Sequence, residues 1–335
     1  MKFILIFTNK YIPYSFIFEV VIIKKKTFTL ISNGCFKSSI FFMDNQIFSI
    51  NNRFLSISVN KNGAELASVM QFDNQFEFIW NANPAVWNRQ APVLFPIVGK
   101  LKNNKISIDG ILYKMNQHGF ARDCEFELIN KTAESLTFLL QSSFETLEKY
   151  PFEFQFYIIY SFTEITNQLK ITYKIANNSN VEMPFSIGAH PGFKLPIPDL
   201  NQYDLNFYSL NHIERHLLVD GLFNNETENI KLENHFLKLN LALFDKDAIV
   251  LKNCPTKKIT LKHQFSNYEV SCEFYDFNDL GIWAKKGNQA FICLEPWLGY
   301  SDNIDSDGEI NNKKGIINLA VNEIFEASYF LNFKS

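Results

Sequence analysis

Two short segments each set one ionisable side chain beside a proline and a large aromatic. They are Gly188-Ala189-His190-Pro191-Gly192-Phe193 and Cys293-Leu294-Glu295-Pro296-Trp297. Proline fixes φ and the aromatic adds bulk, so the imidazole and the carboxylate are held rather than left to solvent. The glycines flanking His190 admit close approach of backbone or ligand. Glu295 ends the apolar run Phe291-Ile292-Cys293-Leu294, which keeps it partly desolvated. The plain alternatives are a loop imidazole bonded to a neighbouring carbonyl and a surface carboxylate at a strand end. Held across a cleft, the two side chains form a general acid–base pair. Their unperturbed values, about 6.5 and about 4.3, leave them in complementary states near neutrality.

The elements that must position this pair have a period of two. Leu169, Ile171, Tyr173 and Ile175 alternate with Lys170, Thr172 and Lys174, as in a half-buried antiparallel strand. Phe152, Phe154, Phe156 and Ile158 alternate with polar residues, as do Ile259 with Leu261 and Val270 with Cys272 and Phe274. Asp109-Gly110 between Ile106-Ser107-Ile108 and Ile111-Leu112-Tyr113 is a hairpin signal. Stretches that could be helical, around 144–149 and 211–217, are short. The pattern predicts an all-β chain, many antiparallel strands in a large two-sheet sandwich.

At 335 residues and 47% hydrophobic, with 35 phenylalanines, the chain can bury a large core. A net charge of −3 with both signs interspersed leaves no electrostatic footprint for nucleic acid. The 5 cysteines include no CxxC, so neither a disulfide framework nor a zinc cage is expected, and a cytoplasmic location follows as the default. His212-Ile213-Glu214-Arg215-His216 is not HExxH, because the glutamate is misplaced. Residues 1–42 carry two apolar runs, neither reaching the ~20 residues of a membrane span, and no convincing cleavage site. They read as a non-native or disordered extension. Residues 43–335 read as a single β domain that starts naturally at Met43.

Two further segments, Gln117-His118-Gly119-Phe120-Ala121-Arg122 and the run from Trp87 to Lys100, lie upstream of the acid–base pair. With the first two they resemble, in order, the aldose 1-epimerase (galactose mutarotase-like) family, and most of all its small bacterial branch encoded with lactose or galactose genes. The resemblance covers about residues 43 to 335. It implies the mutarotase-like sandwich with a sugar cleft on a concave sheet face. Glu295 and His190 become the catalytic residues, with His118 as a substrate contact. Asp247, ahead of Ala248-Ile249-Val250-Leu251, becomes an acceptor for sugar hydroxyls. Arg89 and Lys100 compete for the family's substrate-binding arginine, since this chain has Gly99-Lys100 where much of the family has Gly-Arg. Trp297, Phe193 and Trp283 are candidates to stack on the sugar ring.

The implied activity interconverts the α and β anomers of a free hexose. One group takes the proton of the C1 hydroxyl while the other delivers one to the ring oxygen, and closure on the other face reverses both transfers. No cofactor and no metal is called for. The expected partner is a small-molecule sugar, with no nucleic acid or membrane, and the chain acts as a monomer or homodimer. Two alternatives stay open. One is a hexose-6-phosphate 1-epimerase, against which stands the scatter of Arg53, Arg89, Arg122 and Arg215 without a cluster. The other is a non-catalytic carbohydrate-binding protein on the same fold, which has no need of a proton-transfer pair.

Overall fold

The structure, a computed structural model, describes residues 3–6, 17–20, 46–163 and 166–335. The chain divides into two compact units, Met1–Asn45 and Gln46–Ser335. In the first, Phe3–Ile6 pairs antiparallel with Ile17–Val20. The rest of the expected 1–42 extension lies outside the described residues.

Among the described residues of the second unit, two large antiparallel sheets dominate. The nine-stranded one runs in the order Phe236–Lys238, Tyr203–Asn206, Lys258–His263, Glu269–Glu273, Ile324–Lys334, Gln168–Asn177, Phe154–Phe162, Ser135–Gln141 and Glu127–Lys131. Its strands contain the alternating segments read from the sequence. Phe154, Phe156, Ile158, Leu169, Ile171 and Tyr173 point inward and are buried. The Asp109-Gly110 hairpin forms as expected, with Ile108 opposite Ile111. The 144–149 stretch contributes one helical turn, Phe144–Leu147, capped by Ser143.

The 211–217 stretch is not helical. His212–Val219 is a strand, joined to Leu222–Lys231 by a tight turn at Asp220-Gly221. That dipeptide is the same hairpin signal as Asp109-Gly110, and pairing along the hairpin overrides the weak helical pattern.

The eight-stranded sheet carries the chemistry. Its order is Leu222–Lys231, His212–Val219, Ile249–Leu251, Asp279–Trp283, Phe291–Leu298, Ile187–Ala189 and Val93–Leu94, with Gly192–Lys194 also paired to Phe291–Leu298. The two-residue period sorts these strands by face. Ile187, Ala189, Ile249, Leu251, Leu280, Ile282, Ile292 and Leu294 enter the main core shared with the nine-stranded sheet. Gly188, Val250, Gly281, Trp283, Cys293, Glu295 and Trp297 occupy the other face. Phe193 has the parity of the core and is wholly buried there, so it cannot stack on a ligand.

On that second face Trp297 lies across its neighbours. A Cβ on Gly281 would meet the six-membered ring at 2.6 Å, and one on Gly188 would meet Cδ1 at 2.6 Å. Both contacts are shorter than a side chain tolerates, so the indole is seated because Gly188, its partner on one strand, and Gly281, diagonal to it on the other, have no side chains. Gly281→Val should therefore lift the ring and cost about 1–3 kcal/mol. Denaturant unfolding should show the loss, with far-UV dichroism preserved and tryptophan fluorescence shifted. Unchanged fluorescence and stability would mean that the glycine has no such role.

Candidate active site

His190 and Glu295 meet because of strand register. Ile187 pairs with Leu298 and Gly188 with Trp297; beyond a break, Gly192 pairs with Cys293. The same register runs through the break and sets His190 opposite Glu295. Their side chains therefore leave the sheet on the same face, as cross-strand neighbours do. His190 Nε2 lies 3.2 Å from Glu295 Oε2, and the carboxylate is 1% exposed. On its other side Glu295 pairs with Gly281, and the Trp297 ring fills the space that a side chain there would take.

The imidazole of His190 is walled by rings. Trp87 lies 5.1 Å away, Trp283 5.7 Å and His118 5.6 Å, centroid to centroid. Trp87 is itself stacked on Phe291 at 5.2 Å. Gly192 admits it, as the ring would lie 2.8 Å from a Cβ there.

His118 sits in a left-handed turn with Gly119, at φ 68° and 71°. A Cβ on Gly119 would strike the Phe95 carbonyl oxygen at 2.2 Å, so the turn requires glycine. The His118 N–H donates to Gly99 O at 2.8 Å, and the Gly99 N–H donates to His118 Nδ1 at 3.1 Å. A backbone N–H can only donate, so the neutral ring carries its proton on Nε2. Burial, then His190 and the nearby arginines, hold its pKa well below the ordinary imidazole value, which keeps that neutral donor form.

These groups line a cavity of about 360 Å³, together with Trp87, Gln117, Arg122, Asp247, Trp283, Lys285 and Trp297. The volume lies at the small end of the ~300–1,000 Å³ range of small-molecule sites and suits one sugar ring. A larger cavity, of about 780 Å³, runs past Met115, Phe120, Glu127 and Lys149 and touches neither His190 nor Glu295. Converging buried polar groups, rather than volume, distinguish the smaller one. Trp297 Nε1 and Arg122 Nε are buried donors without a hydrogen-bond partner in the protein, and Arg122 Nε lies 4.0 Å from Asp123 Oδ2.

The structure brings Glu295, His190, His118, Asp247 and Trp297 together, and leaves out both Arg89 and Lys100. The Arg89 guanidinium pairs with Asp123 and donates to Arg122 O at 3.2 Å. Lys100 Nζ donates to Asp220 O at 2.8 Å and holds the hairpin tip. Arg122 is the arginine on the cavity wall, anchored by a 2.7 Å bond to Gln117 O. Its signal was its place in the Gln117–Arg122 segment, three residues after Gly119.

Arg215 also plays a part that the sequence reading missed. It is 3% exposed and donates to Leu243 O, Asp247 O and Ala248 O at 2.8, 2.8 and 3.3 Å. Three carbonyls on one buried guanidinium fix the turn in which Asp247 stands at φ 71°. The available signal was parity, since Arg215 shares the inward face of its strand with Ile213.

Burial reverses the expected charge states of the central pair. Glu295 is pushed well above the ordinary carboxyl value by desolvation and by the Asp247 charge. His190 is pushed down to about 3, mainly by desolvation. The pair thus rests as carboxylic acid and neutral imidazole and holds one proton between them. An ion pair of the same total charge is reached by moving that proton across the 3.2 Å gap.

A family model described as aldose 1-epimerase matches residues 46–318. The chromosomal protein LacX of Lactococcus lactis subsp. lactis is 28% identical over 297 residues, covering 84% of this chain and 97% of that protein. A solved galactose mutarotase related enzyme from Lactobacillus acidophilus is 33% identical with a TM-score of 0.82, covering 86% of this chain and 97% of its own. A galactose mutarotase-like protein from Lactobacillus casei is 28% identical with a TM-score of 0.80, covering 86% and 99%.

The raised carboxyl pKa has a consequence for stability. Above the unfolded value of about 4.3 the unfolded chain releases the Glu295 proton and the folded chain keeps it, so this group lowers stability as pH rises. Glu295→Gln removes the penalty. Thermal unfolding at pH 7 should show the variant about 0.5–2 kcal/mol more stable than the parent. The gain should shrink as pH approaches 4. An equal gain at both pH values, or none, would refute the assignment of a protonated buried carboxyl.

Proposed function

We propose, for a chain that belongs to the aldose 1-epimerase family, that it interconverts the anomers of a free hexose by acid–base ring opening and closure. The observation that carries this reading is the His190–Glu295 pair, 3.2 Å apart and lining a cavity sized for one sugar ring. From the ion-pair form, in which the shared proton has moved from Glu295 to His190, Glu295 takes the proton of the C1 hydroxyl and His190 delivers its own to the ring oxygen. His118 Nε2–H, Arg122 and Asp247 bind hydroxyls and the ring oxygen, and Trp297 forms the floor beneath the ring. The C1–C2 bond turns in the open aldehyde, and closure returns both protons. Each well-placed transfer is worth roughly 10²–10⁴-fold.

The pair needs one proton in total, and no charge enters or leaves the cavity as roles exchange. This is why a buried, poorly solvated site suits the reaction. Lys285, which is exposed, and Arg122 both line the cavity and support a second reading in which the hexose carries a phosphate.

Polarimetry of freshly dissolved α-D-glucose, α-D-galactose and glucose 6-phosphate separates the two readings. The free hexoses should equilibrate faster with the protein added, and Glu295→Gln should lose at least ~10²-fold of that rate. No acceleration of any sugar would leave a binding protein, and acceleration of the phosphate ester alone would select the second reading.

Total proton count, rather than either residue's own titration, should govern the pH profile. The ratio of the two one-proton forms does not change with pH. A second proton is added only when His190 titrates, near 3, and the last is lost only above the raised value of Glu295. The profile of kcat/KM should therefore be flat through neutrality. An acid limb near about 6.5, where an unperturbed imidazole titrates, would contradict it.

A further inference from the structure

Beside the His190–Glu295 pair lies a third potential ligand. Cys293 stands two residues before Glu295 on the same strand and shares its face. It is wholly buried against Trp80 and Phe291 and is a free thiol. One ligand atom from each of His190, Cys293 and Glu295 lies within 4.8 Å of the others, a grouping found nowhere else among the described residues. Glu295 Oε2, the atom facing the imidazole, makes no hydrogen bond of good geometry.

We propose that His190, Cys293 and Glu295 form a three-ligand site for a zinc-class divalent ion, and that the ion competes with the sugar and switches the catalytic pair off. The inference rests on the acid–base reading of that pair. Thiolate, imidazole and carboxylate on one tetrahedral centre, with a fourth position open, is the donor set that zinc accepts. The thiolate selects it over magnesium or calcium, which take oxygen. Zinc–nitrogen and zinc–oxygen bonds of about 2.0–2.2 Å make a tetrahedral N···O edge of about 3.4 Å. The imidazole and carboxylate already stand 3.2 Å apart.

Charge argues the same way. A divalent ion with one thiolate and one carboxylate is neutral overall, so burial that disfavours either anion alone does not oppose the complex. Binding releases the protons of both groups, and affinity rises with pH. His190 and Glu295 line the cavity and Cys293 does not, so the fourth position opens toward the cavity. The ion is therefore an inhibitor, and it occupies the atoms that would exchange protons with the sugar.

The test uses the full chain and two probes. Cobalt(II) titration should develop thiolate-to-cobalt charge-transfer absorption in the parent. That absorption should vanish in both Cys293→Ser and Cys293→Ala, the former retaining the side-chain size. Its appearance does not depend on any sugar activity, so it tests the site even if the mutarotase reading fails. Zinc should raise the apparent KM for sugar in the polarimetric assay with kcat unchanged. Both Cys293 variants should keep parent turnover without zinc, and should need at least ~10-fold more zinc for the same inhibition. Absence of the cobalt band, its persistence in the variants, or equal zinc sensitivity of parent and variants would each overturn the site.

Discussion

The chemistry of this protein depends on one cross-strand register. Pairing of Gly188 with Trp297 and of Gly192 with Cys293 leaves His190 no place except opposite Glu295. A slip of one residue would turn every side chain of the strand to the other face and send the carboxylate into the main core. Ile292 and Leu294 guard against that slip, because they alternate with Cys293 and Glu295 and are wholly buried between the sheets. The hydrophobic core thus acts on the site indirectly, by making the alternative register expensive.

Around that fixed pair the supporting residues share a design in which large rings rest on backbone. Trp297 spans Gly188 and Gly281, and Trp87 comes close to Gly192. Loops are held instead by buried charge. Arg215 gathers three carbonyls beneath Asp247. Lys313 and Asp302, each 3% exposed, pair at 2.9 Å, and Asp302 also accepts from the Lys102 N–H at 3.0 Å. Removing one partner of such a pair typically costs about 3–5 kcal/mol, since the other charge is left buried and alone. Lys100 N–H donates to Ser301 Oγ at 3.0 Å, so the same cluster ties the segment after Gly99 to the loop that follows Trp297.

The electrostatics of the site follow from its dryness. Desolvation drives the carboxyl up and the imidazole down, and the two shifts together favour a neutral pair that still holds its working proton. A solvent-exposed pair would be charged at rest and would lose its proton inventory within the neutral range. Burial costs stability at Glu295, and it lets proton transfer proceed with little reorganisation around it.

The strands were legible in the sequence because their signal is local. Leu169, Ile171 and Tyr173 alternate with polar neighbours whatever lies beyond them, and the sandwich follows from many such runs. His190 and Glu295 were legible because proline, glycine and aromatic neighbours mark a constrained side chain within a few residues. Phe193 could have been excluded by its parity, and the helical reading of 211–217 by the Asp220-Gly221 turn that follows it. The choice among Arg89, Lys100 and Arg122 was of another kind. All three lie in segments that run to the site, and only the crossing of those segments turns Arg122 inward while Asp123 and the Asp220 carbonyl hold the others aside. The charge states of the pair were likewise out of reach, because desolvation is set by residues distant in the chain, such as Trp87, Trp283 and His118 around His190. Sequence alone determined the periodicity and the residue types that could react. The tertiary structure decided which of them face one another and how little water they share, since both depend on contacts between strands far apart in the chain.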